Sequence, residues 1–271
     1  MPAFVSLART AVEAVGQRTG QIINALRGLD DRALMAPSTL PGWSRLTIAC
    51  HLRFGAEALL RMTQAGVSGE CAAYYPGGRS AQRPSTLVPA TGERPEAVIA
   101  SLGDMSVTLD RLWRSLDRTS WGLDVLEPPE QPDLGTMPLS QLPLVRLTEV
   151  EVHGSDLDLE LEDWSQLFVQ TVLPMRLRQL GIRRTNHRAF DHGLEGSWLL
   201  RADDGPTYTI AVSGDRVETH PADDSASATA VIEASSRDLL ALVLGRSFTR
   251  PPRLSGDVAF GRAFGAAFPG P

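Results

Sequence analysis

Lysine is missing from this chain, and all 26 of its basic residues are arginine. They face 32 acidic residues, for a formal net charge of −6. That balance argues against a broad nucleic-acid surface, which needs a surplus of positive charge. Cysteine is almost missing as well. Cys50 and Cys71 are too few for a disulfide scaffold, and no CxxC pair exists. Both read as small buried hydrophobes. No apolar run approaches the roughly 18 residues of a membrane span. The start, Met1 to Thr10, lacks the charged lead and unbroken apolar core of a signal peptide. The expected location is the cytoplasm, with no nucleic-acid and no membrane partner. Neither Gly-x-Gly-x-x-Gly nor Gly-x-Ser-x-Gly occurs, so dinucleotide binding and hydrolase-triad chemistry lack support.

What is present is an ordinary globular composition, 42% hydrophobic and 21% charged. A chain of 271 residues can bury a full core and has room for two domains. Helical periodicity runs over 3–27, from about Ser44 to Ala65, over 95–116, over 143–160 and over 164–180. Ser44 is placed to cap the second of these. The stretches 29–43, 66–92 and 117–138 read as loops, and a connection as long as 66–92 is often functional. After Gly181 the pattern changes to strands. Gly196–Ala202 and Thr207–Ser213 alternate and are joined by Asp203-Asp204-Gly205, a hairpin signal. Val217–His220 and Ala228–Glu233 are two more short strands, and Ser236–Leu244 is helical. The fold class is α plus α+β: a helical bundle over 1–185, then a small α+β domain over 186–271.

Chemistry concentrates at two places. In the segment from Arg146 to Asp156, Glu149 and His153 are four residues apart, so a helix sets both on one face. Arg146, Glu149, His153, Asp156 and Glu160 fall on one inward stripe between apolar strips, while Glu151, Ser155 and Asp158 form the solvent face. His51 lies on the buried face of the helix that Ser44 begins. Three such ligands leave an open position, the arrangement of a catalytic divalent metal. The competing reading is a buried ion-pair network, Arg146 with Glu149 and His153 with Asp156. Asp156 is placed to orient a ligand, as is Arg146 through Glu149. Arg79, Arg83 and Arg146 are the candidates to hold an acidic substrate, although Arg79 and Arg83 also read as solvated surface residues. His187, His192 and His220 are weaker candidates. His187 and His192 fall in an Arg- and His-rich connection.

Leu40-Pro41-Gly42-Trp43-Ser44, then His51-Leu52, then Arg146, Glu149, His153 and Asp156-Leu157 resemble the mycothiol-dependent maleylpyruvate isomerase family. The resemblance covers about 5 to 180 and implies a DinB-like four-helix metalloprotein. Val212 to Asp215 and Leu239 to Arg246 resemble the small sterol-carrier-like domain that often follows. The resemblance implies zinc held by His51, Glu149 and His153, and mycothiol as a low-molecular-weight thiol cosubstrate. Mycothiol belongs to actinobacteria, whose high-GC coding agrees with the arginine-only composition.

A metal beside a thiol stabilises the thiolate, which is the nucleophile. The first expectation is therefore a zinc-dependent mycothiol S-transferase acting on a small electrophile, of the kind found in natural-product pathways. The alternative is the maleylpyruvate cis–trans isomerase. From another class comes a non-catalytic module that binds a small ligand. Partners are a small-molecule electrophile and the thiol, and the protein is expected as a monomer or homodimer.

Overall fold

Ser44 begins the helix that carries His51. Its backbone is extended, and its Oγ accepts from the Thr47 N–H at 3.1 Å, the geometry of a side-chain cap. The computed structural model describes residues 2–126, 135–182, 193–223 and 225–270. His187 and His192 lie outside the described residues. Two compact units divide the chain, Met1–Trp164 and Ser165–Pro271.

The first unit runs α1 (Pro2–Arg27), α2 (Asp31–Met35), α3 (Arg45–Val67), α4 (Arg79–Thr86), α5 (Pro95–Ser115), the antiparallel pair β1 (Asp124–Leu126) and β2 (Thr136–Pro138), and α6 (Leu142–Asp156). The four long helices form a bundle. α3 packs on α5 and α6, and α1 packs on the same two. Because α3 has neighbours on both sides, most of its residues are buried, among them Ile48, His51, Leu52, Leu59 and Met62. Trp113 of α5 fills the centre, and its indole N–H donates to the Thr63 hydroxyl of α3 at 3.0 Å. α2, α4 and the β1–β2 pair occupy stretches that read as loops. They are too short to show a periodicity.

Two expectations about α6 are corrected. The helix stops at Asp156, and Asp158 takes a left-handed φ of 53°, so Glu160 is not on the stripe. The terminal carbonyls are satisfied from elsewhere: Thr39 N–H donates to Asp156 O at 3.0 Å, and Arg45 Nε donates to Leu157 O at 2.8 Å. Glu151 is not on a solvent face either. It is buried and forms an ion pair with Arg18 of α1 at 3.2 Å. α6 is covered on one side by α3 and on the other by α1, so two of its faces are inward.

The second unit runs α7 (Gln166–Ile182), β3 (Gly196–Ala202), β4 (Thr207–Ser213), β5 (Arg216–Ala222), β6 (Ala230–Ala234), α8 (Ser236–Leu244), β7 (Arg253–Gly256), α9 (Val258–Arg262) and α10 (Phe264–Ala267). The sheet order is β5-β4-β3-β6-β7, with β3 and β6 parallel and the other neighbours antiparallel. α7, which continues the run of helices along the sequence, falls within this second unit. Its apolar residues go round the helix. Phe168, Val172, Leu173 and Leu177 are buried, and the helix packs on α8 and β5. Trp198 stacks on Phe260 at 4.2 Å and anchors this unit's core.

Cys50 is buried, and burial pushes its thiol up to about 11, which leaves it inert. Cys71 is exposed, contrary to expectation, because it falls in the connection after α3 and has no core to join. Among the described residues, no helix is long and apolar enough to cross a membrane.

Candidate metal centre

α3 and α6 bring His51, Glu149 and His153 together, although His51 and Glu149 are 98 residues apart in sequence. One ligand atom from each lies within 4.8 Å of the others, and this is the one such group of His, Cys, Asp or Glu among the described residues. His51 Nε2 is 2.7 Å from Glu149 Oε2, and His153 Nε2 is 3.7 Å from the same oxygen. His51 is 6% exposed, whereas the Glu149 side chain is 30% exposed, so the group is buried on one side and reachable from the other.

The residues around these three fit a metal. Asp156 is buried, and its Oδ2 lies 3.0 Å from His153 Nδ1. That contact makes Nδ1 the protonated nitrogen and turns the Nε2 lone pair toward Glu149, the orientation a metal-bound imidazole takes. Thr39 Oγ1 and N–H hold the Asp156 carbonyl from the segment that precedes α3. That segment thus steadies the residue behind His153, while α3 itself carries His51. Burial pulls the His51 pKa down and favours the neutral ring that ligation requires, although its hydrogen bond to Glu149 opposes this. Burial alone would raise the Glu149 carboxyl. Its hydrogen bond to His51, with the neighbouring His153 and Arg146, instead holds it well below the usual carboxylate range.

Aromatic side chains wall the group. Trp43 stacks on His153 with ring centres 5.9 Å apart and meets His51 edge-on at 5.5 Å. Phe54, Tyr74 and Tyr75 form a second cluster, with ring centres 5.0 to 5.6 Å apart. Arg83 of α4 lies over the Trp43 ring at 5.8 Å and hydrogen-bonds the Tyr75 side chain. Of the two arginines expected to meet a substrate from this connection, Arg83 therefore sits beside the histidines. Arg79 is exposed at the start of α4, within electrostatic reach of Tyr75. Arg146 is 1% exposed and donates from Nη1 to Leu52 O at 2.8 Å, so it is a buried element of the site's frame rather than a surface clamp. His220 lies on β5 in the second unit, with a mostly exposed side chain, and is not part of the group.

Sequence reasoning overlooks Trp43 as a wall and Tyr74 altogether. Trp43 stands inside a motif that carries the resemblance, and the Tyr74-Tyr75 doublet is the one aromatic signal in a long polar connection. Asp156→Asn is expected to weaken metal affinity by about 10–100-fold, because an amide holds the imidazole less firmly. Chelator competition measures it, and an unchanged affinity would rule out that role.

The family model for the mycothiol maleylpyruvate isomerase N-terminal domain matches residues 15–158. A crystal structure of the mycothiol-dependent maleylpyruvate isomerase shares the fold over 92% of this chain and 92% of that chain, with a TM-score of 0.68 and 18% identity. The structure of a histidine-to-alanine mutant of such an isomerase matches over the same shares, at a TM-score of 0.69 and 18% identity. YfiT from Bacillus subtilis, described as a probable metal-dependent hydrolase with an unusual four-helix bundle topology, overlaps 55% of this chain and 83% of that chain at a TM-score of 0.44 and 14% identity. No curated protein sequence matches. The family match spans more than half of the chain and contains His51, Glu149, His153 and Asp156, and on that ground the chain belongs to the mycothiol maleylpyruvate isomerase N-terminal domain family.

Proposed function

We propose that the protein is a zinc enzyme that uses mycothiol to isomerise a small unsaturated acid of the maleylpyruvate kind. The observation that carries this reading is the convergence of His51, Glu149 and His153, with Asp156 behind, in a chain of this family. Two imidazoles and one carboxylate are a donor set that zinc accepts, with a position left over. A metal bound there supplies positive charge that keeps a neighbouring thiol as thiolate.

His51, Glu149 and His153 would hold the ion, and Asp156 fixes the His153 ring. Trp43 keeps water from one side of the histidines. Arg83 offers its guanidinium to a substrate carboxylate. Mycothiol, when bound, would supply the nucleophilic sulfur whose reversible addition to the double bond permits rotation and returns the thiol unchanged.

The sequence reading, with the resemblance it carries, puts the S-transferase first. The family match supports the isomerase better. One assay separates them: protein, mycothiol and maleylpyruvate are mixed, and the product is followed by mass. An isomer of unchanged mass that forms only with thiol present supports the proposal. A stable thioether identifies a transferase, and full turnover without any thiol ends both readings.

A further inference from the structure

Gly55 lies on α3 one turn beyond His51, at a point where two buried polar groups meet. A Cβ there would stand 3.0 Å from Arg146 Nη1 and 3.1 Å from Tyr74 Oη. Both contacts are tighter than side chains ordinarily tolerate, so the bare glycine is what admits the guanidinium and the phenol to the same spot. Arg146 is 1% exposed and Tyr74 is 6% exposed. Arg146 Nη1 is engaged with Leu52 O, whereas its Nη2 is buried with no hydrogen-bond partner among the described residues. A buried guanidinium is costly unless it answers a charge. The carboxylate within its reach is Glu149, one turn along α6, and the Tyr74 phenol is near enough to feel the same two charges.

We infer that Tyr74 and Arg146, admitted by Gly55, are positioning residues that hold the Glu149 carboxylate in place for the metal. Tyr74 comes from the connection after α3, Arg146 from α6 and Gly55 from α3. The three lock that connection to both ligand-bearing helices. Phe54 and Tyr75 pack around the Tyr74 ring and fix its direction. Arg146 is anchored to the backbone of α3, so its charge cannot swing away from Glu149.

This inference rests on the proposed metal reading. The test measures zinc affinity of the full chain by chelator competition and melting of the metal-free protein. Tyr74→Phe keeps the ring and removes only the hydroxyl. It is expected to weaken zinc binding by about tenfold while the metal-free melting temperature stays put. Gly55→Ala is expected to weaken it comparably, and Arg146→Lys should retain more affinity than Arg146→Met. Tyr74→Phe and Gly55→Ala proteins that bind zinc as tightly as the wild type would overturn the inference while leaving the metal site intact. A wild-type protein that binds no divalent ion would overturn the metal reading and this inference with it. Should Arg146→Met fail to fold, Tyr74→Phe decides the matter alone.

Discussion

His51→Ala protein is expected to purify without its metal and without thiol-dependent activity. The substitution removes one of the three proposed ligands. It also removes the 2.7 Å partner of Glu149, leaving that carboxylate free to turn away. The affinity loss should therefore exceed the roughly 10–100-fold that changes behind the ligands cost. Elemental analysis of the purified protein, with chelator competition for the residual affinity, checks this. His220→Ala is the control, since His220 lies on β5 in the second unit, with a mostly exposed side chain. It should keep its metal. Retention of full zinc content by His51→Ala would refute the proposed ligand set.

Glu151→Ala should cost the most stability of any single change considered. Arg18 and Glu151 are both nearly inaccessible, at 4% and 3% of side-chain exposure. Arg18 also donates to Glu162 O at 2.7 Å, so it cannot retreat to solvent without breaking that bond. Gly154 makes room for the guanidinium, since a Cβ there would stand 2.8 Å from Arg18 Nε. Removing the carboxylate leaves a buried positive charge unanswered, a loss of about 3–5 kcal/mol. For a unit of this size that is a fall of roughly 10 °C in melting temperature. The double replacement Arg18→Met with Glu151→Leu should recover most of it, because apolar residues of similar volume replace buried ion pairs well. Thermal melts of the three proteins decide the question, and a Glu151→Ala melt indistinguishable from the wild type would refute it.

Much of this molecule is legible in the order of its residues. The four long helices announce themselves by period, and Ser44 announces the start of α3 by its capping chemistry. Glu149 and His153 declare a shared face through four-residue spacing, because helix geometry is local. The β3–β4 hairpin follows from alternation and its Asp-Asp-Gly turn. α4 and the β1–β2 pair are not legible, since elements so short take their form from what they pack on.

Residue types and spacing are enough to say which side chains could ligate a metal and which helices carry them. Tertiary structure alone decided what surrounds them. It turned Glu151 inward, because α1 covers the face that a lone helix would leave to water. It laid Trp43 against both histidines and Arg83 over Trp43, and it brought Tyr74 to Arg146 across Gly55. Helix and turn geometry act between near neighbours and can be read along the chain. Contacts between α1, α3, α4 and α6 depend on how the bundle closes, and no spacing in the sequence encodes that.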